Sequence, residues 1–321
     1  MTAASDVLVV IPTLNEARRL SGVLDGLLAD PALDRMLIVV CDGGSTDQTC
    51  AIAEAVAAHH PQVRLLHNPK RLQSAAVNLA LRTCGEGREW LVRVDAHAAY
   101  PAHYVSRLIA CGERTDADSV TTPMVSRGED CFQRAAAAAQ NSPLGTGGSA
   151  HRRAGVSGWV EHGHHALFRS ARFAALGGYD EDFSHNEDAE FDTRLVAAGG
   201  RIWLEGDLAI GYYPRSTPTA LFRQYLRHGD GRARTVRRHK ARLKLRQLAP
   251  LAIAPAVLIA AAAPWFWPLG LPAAMWALAC LGYGLLLGLR ARDPCAAASG
   301  LAAMIAHLAW SIGFWRRTLA G

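Results

Sequence analysis

Carboxylates follow three apolar runs near the N-terminus, each at the point where the run ends. Glu16 follows residues 7–13, Asp42 closes residues 37–42 before Gly-Gly-Ser, and Asp95 follows residues 90–94. Such aliphatic, β-branched runs are typical of buried parallel strands, whose carboxyl ends form the ligand-binding edge of an open α/β sheet. One Asp-Gly-Gly-Ser turn alone is more often structural, because Asp and Ser bind local amides. Three such strand ends in register predict an enzyme-like crevice.

A second potential ligand, His97, lies two residues beyond Asp95. Alternation along an extended chain places positions i and i+2 on the same side, so one divalent cation could contact both side chains. Carboxylate oxygens suit Mg²⁺ or Mn²⁺, and the imidazole shifts the preference toward Mn²⁺. The pair is therefore a candidate metal site.

Helical periodicity between these runs predicts an α/β fold. Apolar residues recur at three- and four-residue spacing over 16–28, 46–59 and 74–82, which gives a right-handed parallel sheet. Further along, the pattern predicts a strand near 119–125, helices over 132–140 and 187–198, and a glycine-rich loop over 144–149. Whether this loop is a linker or a substrate lid stays open.

The charge and cysteine patterns divide the chain of 321 residues in two. Residues 1–230 carry 22 basic and 27 acidic side chains, whereas residues 231–321 carry 12 basic and one acidic. The seven cysteines lack C-x-x-C spacing, and their odd number argues against a secreted disulfide framework. No basic-then-apolar leader precedes the first strand, so we expect the N-terminal domain to be cytosolic.

The C-terminal part has the composition of a membrane segment. Residues 247–289 contain no charged side chain. This uncharged run is about twice as long as the roughly 20 residues that cross a bilayer core. Prolines and tryptophans over 264–272 predict a break between two spans, and the basic flanks at 237–246 and 290–292 predict a multi-pass hairpin with both ends in the cytoplasm. A third stretch, 296–315, is long enough to cross, but Arg316 and Arg317 would then lie on the wrong side, so its topology stays open. Attraction to anionic headgroups explains residues 232–246 better than nucleic-acid binding.

An ordered set of motifs resembles the family 2 inverting glycosyltransferases of GT-A fold. The motifs are Val10-Ile-Pro-Thr-Leu-Asn-Glu16, Asp42-Gly-Gly-Ser-Thr-Asp47, Asp95-Ala-His97, Leu176-Gly-Gly-Tyr-Asp-Glu181 and Asn186-Glu-Asp188. The resemblance implies a glycosyltransferase domain over 1–230, a basic juxtamembrane segment over 231–246 and transmembrane helices over 247–321. It also implies an inner-membrane enzyme of exopolysaccharide assembly.

The resemblance assigns the donor site to residues in the first three motifs. Pro12, Glu16 and Asp42 stand where the family contacts the nucleoside, and Gly43 replaces the second acid of the commoner Asp-Asp-Gly-Ser form. Asp95 and His97 resemble the D-x-D motif that holds Mn²⁺ or Mg²⁺ on the diphosphate. An alternative is that His97 contacts a phosphate directly. Lys70 and Arg71 would add positive charge, although an exposed basic pair is more often solvated.

The resemblance assigns the general base to Asp188, with Glu187 as the alternative. Capping by Asn186 and the helix dipole would explain these acids without catalysis. Residues 224–228 resemble the Q-x-x-R-W element, which makes Arg227 a phosphate or acceptor contact although His replaces Trp. His162-Gly-His164-His165 invites a zinc interpretation, but no fourth ligand stands at finger spacing, so a pocket wall or plain surface is favoured.

These assignments imply transfer of a hexose, glucose from UDP-glucose, to a polyprenyl-diphosphate-linked saccharide at the membrane. The implied partners are a UDP-hexose, the lipid-linked acceptor, the membrane and other polysaccharide-assembly enzymes, with no nucleic acid. Transfer to polyprenyl phosphate is the nearest alternative. A nucleotidyltransferase would need a basic glycine-rich loop at the first strand, and a noncatalytic sugar-nucleotide-binding scaffold would tolerate loss of Asp188.

Overall fold

A computed structural model describes residues 6–147, 154–183, 185–240, 243 and 245–320. By contacts between residues the chain divides into two compact units, Met1–Met124 with Arg153–Tyr212, and Val125–Arg152 with Tyr213–Gly321. The predicted domain boundaries at 230 and 246 stay a prediction. Parts of two predicted segments, residues 148 and 149 of the glycine-rich loop and residues 241, 242 and 244 of the basic segment, lie outside the described residues.

The first unit is built on an eight-stranded, mostly parallel sheet in the order β3-β2-β1-β4-β9-β6-β10-β8. Its strands are β1 Val7–Thr13, β2 Met36–Asp42, β3 Val63–His67, β4 Trp90–Arg93, β6 Ser119–Thr121, β8 Gly158–Val160, β9 His165–Arg169 and β10 Ile202–Leu204. In a separate three-stranded sheet, β5 Ala98–Ala99 pairs antiparallel with β11 Ile210–Tyr212. The helices are α1 Ala17–Leu28, α2 Thr49–Ala57, α3 Gln73–Cys84, α4 Tyr104–Thr115, α7 Ser170–Ala175 and α8 Glu187–Ala197.

The predicted α/β order is confirmed, with additions. Strand β3 stands between the second and third predicted helices, and the antiparallel strand β9 pairs with both β4 and β6. The strand predicted over 119–125 ends at Thr121, and a separate strand, β7, covers Met124–Ser126. Pro123, which lies between them, has no amide hydrogen to continue a ladder.

Two apolar layers hold the central strands. Alternate residues of β1 and β2 face opposite sides, so Val9 and Ile38 join one core cluster while Val10 and Val39 join the other. Every residue of β2 and β4 is buried. The carboxyl ends of these strands are therefore fixed rigidly against one another.

The second unit is helical. Its helices are α5 Cys131–Gln140, α6 Pro143–Thr146, α9 Pro218–His239, α10 Leu245–Leu251, α11 Ile253–Ala260, α12 Leu271–Ala291, α13 Pro294–Ala297 and α14 Ser299–Leu319. A disulfide joins Cys131 to Cys295, a pairing that the cysteine spacing does not predict. Within the described residues, two segments are long and apolar enough to cross a membrane, Trp267–Ala291 and Pro294–Leu319.

The segment predicted as the first span is divided. Gln247–Ala260 is apolar but shorter than a span, and α10 ends at Leu251 before α11 begins. The predicted break is confirmed, since a tight 3-10 turn over Trp267–Gly270 separates α11 from α12. The number of spans stays a prediction.

Candidate active site

A pocket lies at the carboxyl edge of the large sheet. Chain order reverses there, because β1 pairs with β2 on one side and with β4 on the other. Open α/β sheets bind ligands at such a switch point. The pocket wall includes the predicted residues Pro12, Glu16, Gly43, Arg71, Asp95 and His97.

The turn after β1 is held in place by the turn after β2. Asn15 has a φ of 59°, its amide donates to Ser45 Oγ at 2.8 Å, and its Oδ1 accepts from the Thr46 amide at 2.8 Å. The Glu16 amide donates to Thr49 Oγ1 at 2.8 Å. These bonds compensate the left-handed conformation of Asn15 and place the Glu16 side chain on the pocket wall.

Asp42 serves the turn more than the pocket. Its Oδ2 accepts from the amides of Gly44 at 2.7 Å and Ser45 at 2.9 Å, and its Oδ1 accepts from Thr13 Oγ1 at 3.2 Å. Burial alone would raise the pKa of Asp42, but the bonds from Ser45 and Gly44 hold it below its usual value. Asp42 is not part of the described pocket wall, so its predicted nucleoside contact stays a prediction.

Gly43 occupies the wall position that adjoins Asp42. A Cβ at this position would lie 3.3 Å from Arg71 Cα and 3.4 Å from the Thr13 carbonyl oxygen. A side chain at position 43 would therefore require Arg71 or Thr13 to shift by a few tenths of an ångström.

The two predicted basic residues separate. Arg71 has a φ of 57° and lies on the pocket wall. Lys70 is exposed, and its Nζ pairs with Glu181 Oε2 at 2.6 Å. Arg71 therefore supplies positive charge to the pocket, whereas Lys70 forms an ion pair with Glu181.

Three side chains contact the Asp95 carboxylate. Its Oδ1 accepts from Gln73 Nε2 at 2.6 Å and from Arg93 Nε at 3.2 Å, and its Oδ2 lies 3.4 Å from His164 Nε2. Burial alone would raise its pKa, but the positive charge of Arg93, followed by the bond from His164, holds the pKa well below its usual range. Asp95 is thus an anion at neutral pH.

The donors for a divalent cation are few. Asp95 and His97 share the pocket wall, and His97 Nδ1 lies 3.1 Å from Glu16 Oε1. Within the described part of the chain, no group of three or more His, Cys, Asp or Glu side chains could hold a metal ion. One carboxylate and one imidazole fit a cation whose other ligands come from a bound diphosphate.

Arg93 links Asp95 to the helix that carries the predicted base, a connection that sequence reasoning missed. Its side chain is only 5% exposed, with Nη1 3.2 Å from Glu187 Oε1 and 3.3 Å from the Tyr179 hydroxyl. Burial alone would lower the pKa of Arg93, but Asp95, Tyr179 and Glu187 together raise it. The guanidinium therefore stays charged between two acids.

The glycine pair of the Leu176–Glu181 motif positions Tyr179. Gly177 and Gly178 have φ values of 82° and 69°, and a Cβ on Gly178 would lie 2.3 Å from Asn78 Oδ1. Asn78 in turn donates to the Tyr179 carbonyl at 2.7 Å and accepts from its amide at 2.9 Å. The motif thereby brings the Tyr179 hydroxyl to Arg93.

The two candidate bases differ in environment. Glu187 has a side chain that is 8% exposed, and burial raises its pKa even though Arg93 opposes the shift. Asp188 is half-buried, and its Oδ1 accepts from the Ala189 amide at 2.7 Å. The Asn186 side chain makes no capping bond, so the capping explanation fails for that residue. The assignment of the base to Asp188, with Glu187 as the alternative, stays a prediction.

The remaining predicted residues are not among those of the described pocket wall. Arg227 belongs to α9 in the second unit. His162 Nδ1 bonds Asp192, whereas His164 meets Asp95, so these two imidazoles have different partners. Among the residues with a structural description, the zinc interpretation finds no cluster of ligands.

Known proteins share both the sequence and the fold. The family described as Glycosyl transferase family 2 matches residues 8–177. The succinoglycan biosynthesis protein ExoA of Rhizobium meliloti (strain 1021) is 48% identical over 312 residues, which cover 97% of this chain and 94% of that protein. A Methanococcus voltae dolichyl N-acetyl-alpha-D-glucosaminyl phosphate 3-beta-D-2,3-diacetamido-2,3-dideoxy-beta-D-glucuronosyltransferase is 22% identical, with 72% of this chain and 74% of that protein covered.

Solved glycosyltransferases have the same GT-A-like fold. The mannosyltransferase PcManGT from Pyrobaculum calidifontis, in complex with GDP-Man and Mn²⁺, superposes with a TM-score of 0.62 at 23% identity, covering 96% of this chain and 88% of that one. TarS 1–349 of S. aureus, in complex with UDP, has a TM-score of 0.51 at 16% identity, with 93% and 90% covered. The predicted fold class is confirmed.

Proposed function

Because the chain belongs to glycosyltransferase family 2, we propose that it transfers glucose from UDP-glucose to a polyprenyl-diphosphate-linked saccharide. The transfer would invert the anomeric carbon and serve the biosynthesis of a succinoglycan-type exopolysaccharide. Membership of the family makes the chain a glycosyltransferase, so the nucleotidyltransferase and the noncatalytic scaffold are set aside. The 48% identical relative is a succinoglycan biosynthesis protein, which supports the polysaccharide class.

One observation carries the proposal, namely the bridge from the pocket to α8. Arg93 contacts Asp95, which lies on the pocket wall, and Glu187, which precedes Asp188, each at 3.2 Å. A transferase needs a bound donor and a base within reach of the acceptor hydroxyl. The bridge fixes the base-bearing helix against the donor pocket.

The reaction balances with the residues of this chain. The acceptor oxygen attacks C1 of the sugar while the bond from C1 to the diphosphate oxygen breaks, and the electron pair leaves with UDP. Asp188 receives the proton of the acceptor hydroxyl. Pro12, Glu16 and Asp42 would hold the nucleoside, and the positive charge of Arg71 would stabilise the departing diphosphate.

Asp95 and His97 would hold a divalent cation, Mn²⁺ in preference to Mg²⁺. When bound, the cation would neutralise charge that develops on the diphosphate leaving group. The low pKa of Asp95 suits this role, because a metal-binding carboxylate must be ionised. His164 and Gln73 orient that carboxylate from the protein side.

The C-terminal unit supports a lipid-linked acceptor and an inner-membrane location with the catalytic unit in the cytoplasm. Its two long apolar segments have a composition that suits contact with a bilayer. Attachment to the membrane would raise the local concentration of a prenyl-linked acceptor.

The test is a donor and acceptor panel. Membranes containing the full chain are incubated with radiolabelled UDP- and GDP-sugars, supplemented with polyprenyl-diphosphate saccharide or polyprenyl phosphate, and lipid-linked product is extracted. We expect label from UDP-glucose on the diphosphate-linked saccharide only. Product on polyprenyl phosphate would replace the proposed acceptor, and label from a GDP-sugar alone would overturn the proposed donor.

A further inference from the structure

Helix α14 is the central helix of the second unit, and the basic helix α9 packs tightly along one side of it. A Cβ on Gly229 would lie 2.0 Å from the Trp310 carbonyl oxygen, and one on Gly313 would lie 2.0 Å from the Leu226 carbonyl oxygen. Such contacts require glycine, since only glycine allows backbones this close. The two helices therefore cannot separate without breaking the unit.

Helix α11 and the chain before it lie on the other side of α14. Ser311 Oγ accepts from the Ala254 amide and donates to the Leu251 carbonyl, each at 3.0 Å. Ser311 and Gly313 are two residues apart, which is about 200° around a helix. Helix α14 thus lies between the apolar helix α11 and the basic helix α9.

The side that bears α9 is rich in ionic residues. Between Leu221 and Arg238 the helix carries Arg223, Arg227, Asp230, Arg232, Arg234, Arg237 and Arg238. Each charged side chain lowers the equilibrium constant for insertion at the bilayer centre by about a hundredfold. If α14 crossed the hydrocarbon core, its close packing would bring the middle of α9 into the bilayer with it.

The basic ends of the apolar helices also argue against crossing. Helices α12 and α14 are antiparallel, because Trp276 bonds His307 at 3.3 Å while a Cβ on Gly300 would meet the Cys280 carbonyl oxygen at 2.4 Å. Arg290 and Arg292 stand at one end of this pair and Arg316 and Arg317 at the other. A crossing pair would place basic clusters on both sides of the membrane, against the positive-inside rule.

The apolar side of the unit is exposed over α11, α12 and the turn between them. The exposed side chains there are Leu258, Ile259, Trp265, Phe266, Trp267, Leu271, Met275, Leu278, Leu281, Leu285, Leu286 and Leu289. A patch this large marks an interaction surface, and the three aromatic residues suit a membrane interface. The basic residues of α9, on the opposite side of α14, complement anionic headgroups, so the partner is a lipid bilayer.

We propose that the second unit lies in the plane of the membrane and that no helix of the hairpin α12–α14 crosses it. Helices α11 and α12 would be immersed in the acyl chains of the cytoplasmic leaflet, with α9 at the headgroups. This replaces the predicted multi-pass hairpin with anchoring from one side. The inference rests on the membrane attachment in the proposed function, but its tests do not measure sugar transfer.

Cysteine labelling from the periplasmic face tests the topology. Trp267→Cys, Arg292→Cys and Leu319→Cys are each introduced into the full chain, and intact spheroplasts are treated with a membrane-impermeant maleimide. We expect none of the three to label above the unsubstituted chain, whereas Arg292→Cys and Leu319→Cys label after the membrane is opened. A crossing hairpin would expose either position 292 or the other two, so periplasmic labelling of any of them overturns the proposal.

A charge in the apolar face tests the partner. Leu278→Arg should lower the ratio of membrane-bound to soluble chain by about a hundredfold on vesicles with anionic lipid. Val156→Arg, an exposed apolar residue of the first unit, is the matched control and should leave that ratio unchanged. An unchanged ratio for Leu278→Arg, or recovery of the unsubstituted chain as a soluble dimer, would overturn the proposal.

Discussion

Replacing Arg93 by methionine should destabilise the first unit strongly. Arg93 is buried and contacts the buried Glu187 and the partly buried Asp95, at 3.2 Å each. Methionine keeps much of the apolar volume of the side chain but removes the charge and its hydrogen bonds. The buried Glu187 carboxylate would then lose its cation, and Asp95 would keep only its contacts with Gln73 and His164.

The magnitude follows from the burial of the cluster. Breaking a buried ion pair by removing one partner costs about 3–5 kcal/mol, because an uncompensated charge remains inside. For a unit of this size each kcal/mol lowers the melting temperature by about 2–4 °C, so Arg93→Met should lower it by roughly 6–20 °C. The double variant Arg93→Met with Glu187→Gln should recover part of the loss, since it removes one of the stranded acids.

Thermal unfolding of the full chain in detergent measures this effect. The matched control is Arg82→Met, because Arg82 is 62% exposed and pairs with Glu181 at 3.4 Å. Exposed ion pairs contribute about 0–1 kcal/mol, so the control should shift the melting temperature little. Equal small shifts for both variants would refute the view that Arg93 holds the two halves of the site together.

Three further predictions concern the same site. Burial raises the folded-state pKa of Glu187, so the stability of the parent should fall as pH rises through that pKa. The free energy of unfolding of Glu187→Gln, relative to that of the parent, should therefore increase from acidic to neutral pH. Denaturant titrations measure this difference, and a difference that does not change with pH would contradict the prediction. Gly43→Asp should cost about 1–3 kcal/mol and raise the KM for the donor, because its Cβ meets Arg71 Cα at 3.3 Å; an unchanged KM would refute this crowding. Chelation by EDTA should abolish turnover and Mn²⁺ should restore more of it than Mg²⁺, whereas full activity in EDTA would exclude the proposed cation.

The strands that end at the pocket could be predicted because each is a long apolar run that ends in turn residues. Strand β3 was missed, since Val63–His67 mixes exposed and partly buried residues at the margin of the sheet. Strand β9 was missed because its partners, β4 and β6, are far away in the sequence. Sequence periodicity reports local burial, and pairing between distant segments leaves no local signal.

The candidate site likewise contains residues that the sequence predicts and residues that it does not. Glu16, Asp95 and His97 follow from motif positions and Arg71 follows from the basic pair at 70–71, and all four lie on the pocket wall. Arg93 could not be recognised as a site residue from the sequence, because its partner Glu187 lies 94 residues later in the chain.

Two predicted side chains have partners outside the pocket for similar reasons. The Asp42 carboxylate binds the amides that directly follow it, and Lys70 pairs with Glu181, 111 residues away. A motif specifies the residue type, whereas the direction of the side chain depends on which partner is nearest in the fold.

Steady-state turnover of Asp188→Asn tests the central claim most directly. The claim is that the Arg93 bridge holds α8 so that Asp188 serves the sugar bound in the pocket of Asp95 and His97. We predict that kcat falls by about 10²–10⁴-fold while the donor KM stays nearly constant, since only proton transfer is lost. The matched control Asp25→Asn, an exposed acid of α1, should keep full turnover. Unchanged kcat in Asp188→Asn would contradict the account.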